Sequence, residues 1–256
     1  DNNTSGGVDA LGLNTTAVNN TAIGSVALDA NTTANNNTAV GTTALGANTT
    51  GNLNVAVGVS SLALNTIGDR NVAVGVEALK TFNPSSNADT YNTAVGHVAL
   101  KALTTGTNNT AIGGQAMELA TTGGNNTALG YGSLNANTTG AQNTAVGRSA
   151  AEDVTTGNDN VFIGDQSGRS ATTGQDNVCV GARAASLTTE LTTGIRNTVL
   201  GSFTAMSAVD VSNEVIVGYG SVGKGSATAF LAGSNGVFNE GNTTTWNTTS
   251  DRRIKK

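Results

Sequence analysis

Residue types that carry chemistry are sparse in this chain and stand apart from one another. His97 is the only histidine and Cys179 the only cysteine. Neither a histidine-based catalytic triad nor a histidine metal site can therefore be assembled within one chain, and no disulfide framework is possible. Cys179 falls on a position that other repeats give to alanine, which reads as a packed small apolar group rather than a reactive thiol. Glycoside hydrolysis needs two carboxyl groups about 5–10 Å apart in a groove. Glu152-Asp153 is the only adjacent acidic pair, and neighbours in an extended segment or turn diverge. Gly218-Tyr219-Gly220-Ser221-Val222-Gly223 spells a dinucleotide-binding GxGxxG, and Gly218 to Lys224 fits most of a phosphate-binding loop. Both need a strand, a turn and a following helix, and the phosphate loop needs Ser or Thr where Gly225 stands. No cofactor and no metal are expected.

Any functional side chain must be positioned by a repeat. Gly7, Gly24, Gly41, Gly58 and Gly75 follow one another at a spacing of 17, as do Gly96, Gly113, Gly130, Gly147, Gly164 and Gly181, and then Gly201 and Gly218. Four residues before each stands an asparagine, except that Glu214 takes the last place. Thirteen copies at a fixed period predict a solenoid in which each unit packs on its neighbours. The unit reads Asn-Thr-Ala-Val-Gly-x-x-Ala-Leu-x-x-Asn-Thr-Thr-Gly-x-x, with Asn37 to Leu53 and Asn126 to Gln142 as clear copies. Thr-Ala-Val alternates with period two, placing Thr and Val on one face and Ala on the other. The Ala-Leu pair predicts a second short strand, and the glycines and asparagines predict turns. Thirteen coils at ~4.8 Å each would make a rod of roughly 60 Å.

The third and ninth positions of the unit vary together. Ala22, Ala39, Ala56, Ala73, Ala94, Ala111 and Ala128 accompany Leu28, Leu45, Leu62, Leu79, Leu100, Met117 and Leu134. From Phe162 onward the third position enlarges to Phe162, Cys179, Val199 and Ile216, while the ninth shrinks to Gly168, Ala185 and Ala205, with Val222 intermediate. Constant summed volume predicts that both line one close-packed interior. About four apolar side chains per coil, two of them alanine, make a thin core, which predicts association of chains. We expect a homotrimer, with Ala and Gly permitting close backbone approach.

Composition narrows the partners. Charged residues are 11% of the chain and four of its twelve Lys/Arg lie in the last five residues, leaving 16 acidic against 8 basic side chains over residues 1–250. That acidic balance, with no basic stripe carrying interleaved aromatics, argues against nucleic acid. No apolar run approaches the ~20 residues that span a bilayer, so no membrane insertion is expected. Two insertions break the period: four extra residues between Gly75 and Gly96, and three between Gly181 and Gly201. Insertions emerge as loops and often carry binding. The candidate binding residues are Phe82, Asn83, Pro84 and Tyr91 around the first, whose aromatics could stack on sugar rings, and Glu190 in the second.

The Asn-Thr-Ala-Val-Gly strand followed by Ala-Leu, over residues 1–222, resembles the head repeats of trimeric autotransporter adhesins. Those build left-handed parallel β-rolls with three chains side by side, on units shorter than the 17 residues found here. The unit is also similar to those of phage tail fibres and bacterial fibre proteins. Thr249-Ser250-Asp251-Arg252-Arg253-Ile254-Lys255-Lys256 resembles the opening of the endosialidase-type intramolecular chaperone domain, which trimerises phage fibres and spikes and then cuts itself off at the Ser-Asp step. The resemblance implies Ser250 as an autoproteolytic serine in a longer precursor, its partner groups lying past Lys256.

These readings predict an all-β protein, a parallel β-solenoid (β-roll) of thirteen 17-residue coils in an intertwined or side-by-side homotrimer. Residues 1–222 would be the shaft, 223–249 a neck or capping segment in which Phe230, Phe238 and Trp246 seal the last coil, and 250–256 the start of the chaperone domain. The implied function is an extracellular phage tail fibre that joins other fibre or virion proteins and attaches to a glycan or protein receptor on the host surface, with no enzymatic activity beyond self-cleavage. A bacterial surface adhesin or predatory fibre protein is the alternative. An ice-binding solenoid is a third reading, based on the stacked pairs Thr49-Thr50, Thr138-Thr139, Thr155-Thr156 and Thr172-Thr173.

Overall fold

The computed structural model describes residues 2–86 and 89–231, with the backbone of 237–239 and 246–248. The Ser250-Asp251 step lies outside the described residues, as do the side chains of Phe238 and Trp246. The chain forms two compact units, Asp1–Gly140 and Ala141–Lys256. Unit 1 holds β1 (Thr4–Gly6), β2 (Thr21–Ile23), β3 (Thr38–Val40), β4 (Val55–Val57), β5 (Val72–Val74), β6 (Thr93–Val95), β7 (Thr110–Ile112) and β8 (Thr127–Leu129). Unit 2 holds β9 (Thr144–Val146), β10 (Val161–Ile163), β11 (Val178–Val180), β12 (Thr198–Leu200), β13 (Val215–Val217), β14 (Ala229–Leu231), β15 (Val237–Asn239) and β16 (Trp246–Thr248). Within each unit successive strands pair in parallel and in register, for example Thr38↔Val55 and Ala39↔Ala56, or Val161↔Val178 and Phe162↔Cys179. This is the all-β parallel solenoid that the period predicts, one strand per coil. The parallel order extends to β14, beyond the expected shaft end at 222, and turns antiparallel only at β15 and β16. Phe230 on β14 is buried.

The expected second strand at Ala-Leu is instead a turn. Leu28, Leu45 and Leu62 have φ of 50°, the left-handed region that costs a non-glycine residue about 1–2 kcal/mol. A strand would send Ala and Leu to opposite faces, whereas this turn buries both Ala27 and Leu28 completely. Burying a leucine returns about 1.5–3 kcal/mol, enough to offset the strain. Inter-coil bonding also survives, because alternate amides point up and down the stack. Val26 N donates back to Val8 O at 2.8 Å, and Leu28 N donates forward to Ala44 O at 3.1 Å.

The paired third and ninth positions do share one interior. Ala22, Ala56, Leu28 and Leu62 are fully buried in unit 1, as are Phe162, Cys179 and Val199 in unit 2. A Cβ placed on Gly168 would fall 2.0 Å from the Phe162 ring, so phenylalanine occupies the space that leucine fills in other coils. Val222 departs from this pattern, being 45% exposed.

A buried asparagine column runs through each unit. In unit 1 Asn37 N donates to Asn20 Oδ1 at 2.9 Å, Asn54 N to Asn37 Oδ1 at 2.9 Å, and Asn126 N to Asn109 Oδ1 at 3.0 Å. The amide nitrogen turns to close its own coil in Asn37, whose Nδ2 donates to Gly51 O at 2.9 Å, whereas at the first insertion Asn71 Nδ2 donates to Asp69 O at 3.0 Å instead. In unit 2 the column passes from Asn143 through Asn160, Asn177 and Asn197 to Glu214, whose N donates to Asn197 Oδ1 at 2.9 Å. The buried Glu214 carboxylate accepts from Gly225 N at 2.7 Å and Ser207 N at 3.2 Å. Glutamate suits this last place because its reach is longer and the irregular turns beyond present donors. The glycine after β4 has no freedom to be another residue. Gly58 has φ 132°, and a Cβ there would sit 2.5 Å from Gly75 O in the next coil.

The strand alanines and the glycines that follow them serve coil-on-coil packing inside the chain. What faces outward is the other side of the strands. Ile23, Val40 and Ile112 are 36–43% exposed in unit 1, and Ile163 and Leu200 are exposed in unit 2. The Thr-Thr pairs are also not a free hydroxyl plane. The first threonine of several pairs donates to the next coil, as Thr49 Oγ1 does to Thr66 O at 3.0 Å, Thr121 Oγ1 to Thr138 O at 2.8 Å and Thr155 Oγ1 to Thr172 O at 3.2 Å.

Candidate functional site

The first insertion is built on the repeat rather than added to it. Phe82 stands eleven residues after Asn71, as Asn65 does after Asn54 and Leu103 after Asn92. This twelfth position points inward, and Phe82 is accordingly 0% exposed. Phe82 and Pro84 pack together on Gly68, where an added Cβ would lie 2.9 Å from the Phe82 ring and 3.0 Å from Pro84. Neither is available to a ligand, which corrects the expectation that Phe82 stacks on sugars. The signal was present in the sequence: counting the repeat through the insertion places Phe82 on a core position. Asn83 is exposed, but its Oδ1 accepts from Thr66 N at 3.2 Å and Thr66 Oγ1 at 2.7 Å, continuing the threonine column.

Tyr91 is the aromatic member of the set that remains at the surface, 50% exposed. It belongs to a cluster with two residues that nothing in the sequence singles out. Arg70 Nε meets Asp89 Oδ1 at 2.5 Å, Tyr91 Oη donates to Asp89 Oδ2 at 2.9 Å, and the Arg70 guanidinium lies 5.9 Å over the Tyr91 ring. The hydrogen bonds from Arg70 and then Tyr91 hold the Asp89 carboxyl below its ordinary range, and the bond to Asp89 raises the Tyr91 phenol. The cluster is a polar knot that anchors the loop's return into the coil. Beneath it Thr90 is buried and donates its hydroxyl toward Asp69 O and Asn71 Oδ1 at 2.8 and 2.9 Å.

The second insertion emerges at another corner of its coil. Leu191, six residues before Asn197, takes the inward twelfth position and is buried. The added residues lie between Ala185 and Leu191, whose N donates to Ala185 O at 3.1 Å. Glu190 is half-buried beside this anchor, and Leu187 is 39% exposed. The loop is tied to the next coil through Thr189 O, which accepts from Met206 N at 2.9 Å.

The other chemical candidates fall where their surroundings dictate. His97 is exposed. Cys179 is buried, and burial pushes its thiol well above the ordinary value, which leaves it unreactive. Glu152 is engaged by Arg169 Nε at 2.9 Å, while Asp153 has its carboxyl raised by burial and then by its neighbour Glu152. Gly218 follows β13 as a repeat glycine with φ 134°, and the residues after it form turns and β14, not the helix a nucleotide site requires. Among the described residues no three His, Cys, Asp or Glu gather as metal ligands, and no helix is long and apolar enough to cross a membrane. A surface groove of about 380 Å³ in unit 1 is lined by Val26, Gly46, Ala47 and Leu64, with Asp29 and Thr43 as its polar walls.

Sequence reasoning missed a second aromatic group, in unit 2. Phe203 and Tyr219 stand on successive coils with ring centroids 5.7 Å apart and planes tilted by 59°. Arg183, one coil earlier, carries its guanidinium 5.9 Å over the Phe203 ring. The signal was the residue just after a repeat glycine, which holds Tyr219, and the next one along, which holds Phe203. No protein-family model matches the chain, and no curated protein or solved structure matches it either.

Proposed function

We propose that the protein is a structural and adhesive fibre subunit: an extracellular homotrimeric shaft that contributes to attachment at a host-cell surface, as in a phage tail fibre. The observation that carries the reading is the outward strand face of each unit. In unit 1 it is an in-register column of Thr, Val, Ile and Leu, from Thr21 and Ile23 through Val55, Val57, Val72 and Val74 to Thr127 and Leu129. It bears no charge, although the chain as a whole is net −5. In unit 2 the same positions carry Val161 and Ile163, Val178 and Val180, and Val215 and Val217. Large contiguous apolar surfaces of this kind mark interaction sites, and a repeated parallel face suits identical chains set side by side. A bacterial surface adhesin or predatory fibre protein would use the same architecture.

Light scattering of the purified chain tests the reading, with about three times the chain mass of 25.3 kDa as the expected result. Val57→Lys/Val74→Lys should reduce that to the single-chain mass, because each lysine would bring an unpaired charge into the interface. A wild-type monomer overturns the proposal. Self-cleavage after Ser250 in a longer precursor belongs to the same reading, and Ser250→Ala should abolish it.

One observation favours a second reading. Thr21, Thr38, Thr93, Thr110 and Thr127 line the outward face at one position per coil, a spacing that could order water as ice-binding solenoids do. Val55 and Val72 interrupt that column, and thermal hysteresis would distinguish the two.

A further inference from the structure

We propose that the ridge formed by Arg183, Phe203 and Tyr219 binds an acidic oligosaccharide, one whose sugars carry carboxylates. The inference rests on the adhesive reading and names its ligand class and its site. Seven aromatic side chains are described, and Phe82, Phe162 and Phe230 are buried among them. Tyr91 is committed to Asp89, and Tyr131 stands without a ring partner among the described residues. Among the described residues Phe203 and Tyr219 alone form an exposed ring pair, 37% and 73% exposed, with planes tilted by 59°. Leaving two large aromatics in water forgoes the burial that most of the other rings gain, so a partner that covers them recovers it. The apolar C–H face of a pyranose fits such a ring, through weak contacts to the negative π surface.

The flanking groups specify what the rest of the ligand must offer. Along unit 2 the same register holds Gln166, Arg183, Phe203 and Gly220, each with φ between 52° and 62°. The left-handed backbone is therefore common to the register, and only the side chains distinguish this stretch. Arg183 Nε donates to Gln166 Oε1 at 2.9 Å, so the planar guanidinium is fixed by an amide below and a ring above. Arg70, Arg148, Arg169 and Arg196 each lie opposite a carboxylate. Arg183 does not: among the described residues no acidic group pairs with it. An oriented guanidinium with unneutralised charge, whose Nε is taken by Gln166 and whose terminal Nη1/Nη2 edge has no partner among the described residues, is suited to bidentate capture of a carboxylate through that edge. Planar hydrogen-bonding groups beside exposed aromatic rings are suited to sugar hydroxyls.

The test is a glycan array holding neutral oligosaccharides and oligosaccharides of uronic and sialic acids, probed with the full chain while its mass is followed by light scattering. The expected result is binding to the carboxylate-bearing set, weakened at least tenfold in Phe203→Ala/Tyr219→Ala. Arg183→Gln should remove the preference for acidic over neutral sugars while leaving the melting temperature unchanged. Undiminished binding by the double variant, binding to neutral glycans alone, or no glycan binding overturns the proposal. A trimer that binds none of the array removes the ridge and leaves the fibre reading standing. A monomer that binds acidic glycans through these residues does the reverse. Loss of the trimer in the double variant would make the ridge a chain contact and also overturn it.

Discussion

At the scale of single residues, the pair Phe162 and Gly168 shows how the repeat keeps its interior filled while its sequence changes. Gly168 has φ 55°, close to the 49° of Leu134 at the same place in its repeat, so the backbone there already accepts a leucine. Phe162→Ala should cost about 3–5 kcal/mol by opening a cavity. Gly168→Leu should cost at least as much by driving a side chain into the ring. Combined, they rebuild the Ala-Leu pattern of the other coils and should recover most of both losses, giving a coupling energy of at least about 2 kcal/mol in a denaturation double-mutant cycle. Additive losses would show that the two positions do not share a space. This pairing is legible in the residues alone, because the two positions covary from repeat to repeat within one sequence. Phe82 is harder to place, because an insertion follows it and proximity to a loop imitates membership of it.

At the scale of the element, side chains clip adjacent coils together outside the core. The clearest clip is Glu77, whose carboxylate receives Lys80 Nζ at 2.7 Å within its own coil and Lys101 Nζ at 2.8 Å from the next. The hydrogen bonds from Lys101 and then Lys80 lower the Glu77 carboxyl from 4.5 to about 2. A carboxyl depressed by folding contributes stability above its unfolded value and loses it as the medium acidifies. The clip should therefore be intact above pH 4.5 and fade as pH falls toward 2. Thermal melts across that interval should show a shallower pH dependence for Glu77→Gln than for the wild type. Identical slopes would mean that the clip is idle, as exposed pairs often are. The strand of each coil was legible from its Thr-Ala-Val alternation. The turn at Ala-Leu was not, because apolar pairs do not say whether both side chains go inward; that is decided by the narrowness of the coil, which sequence does not display.

At the scale of the whole molecule, nearest-neighbour packing makes the coil the unit that can be gained or lost. Removing residues 109–125, one period of 17 within unit 1, joins Asn108 to Asn126 with every column in phase. Such a deletion should fold and melt within a few degrees of the parent, since solenoid stability is close to a sum over repeats and their interfaces. Removing residues 109–117 instead shifts the asparagine column off the glycine carbonyls and should abolish cooperative unfolding followed by circular dichroism. Equal tolerance of both deletions would refute the periodic account. The period was the most legible feature of the chain because glycine and asparagine are each demanded by a backbone contact that recurs in every coil. The outward faces were the least legible. No recurring backbone contact fixes the side chains at the exposed positions, so Phe203 and Tyr219 register in the sequence only as unexceptional variation.

The asparagine column also bears on how the protein ages. Asparagine is a thermolabile residue, losing its side-chain amide when the backbone nitrogen that follows it turns and attacks. Along the column that nitrogen is already occupied. Val55 N, after Asn54, donates to Asn71 O at 2.8 Å, Thr93 N to Asn109 O at 2.8 Å and Thr110 N to Asn126 O at 2.8 Å. The attacked amide is in turn pinned at both ends, with Asn54 Oδ1 accepting from Asn71 N at 2.9 Å and Asn54 Nδ2 donating to Gly68 O at 2.8 Å. The same bonds that stack the coils therefore shield the column from deamidation, while the asparagines outside it, such as Asn36, Asn108 and Asn125, stand exposed and are where that hydrolysis should begin.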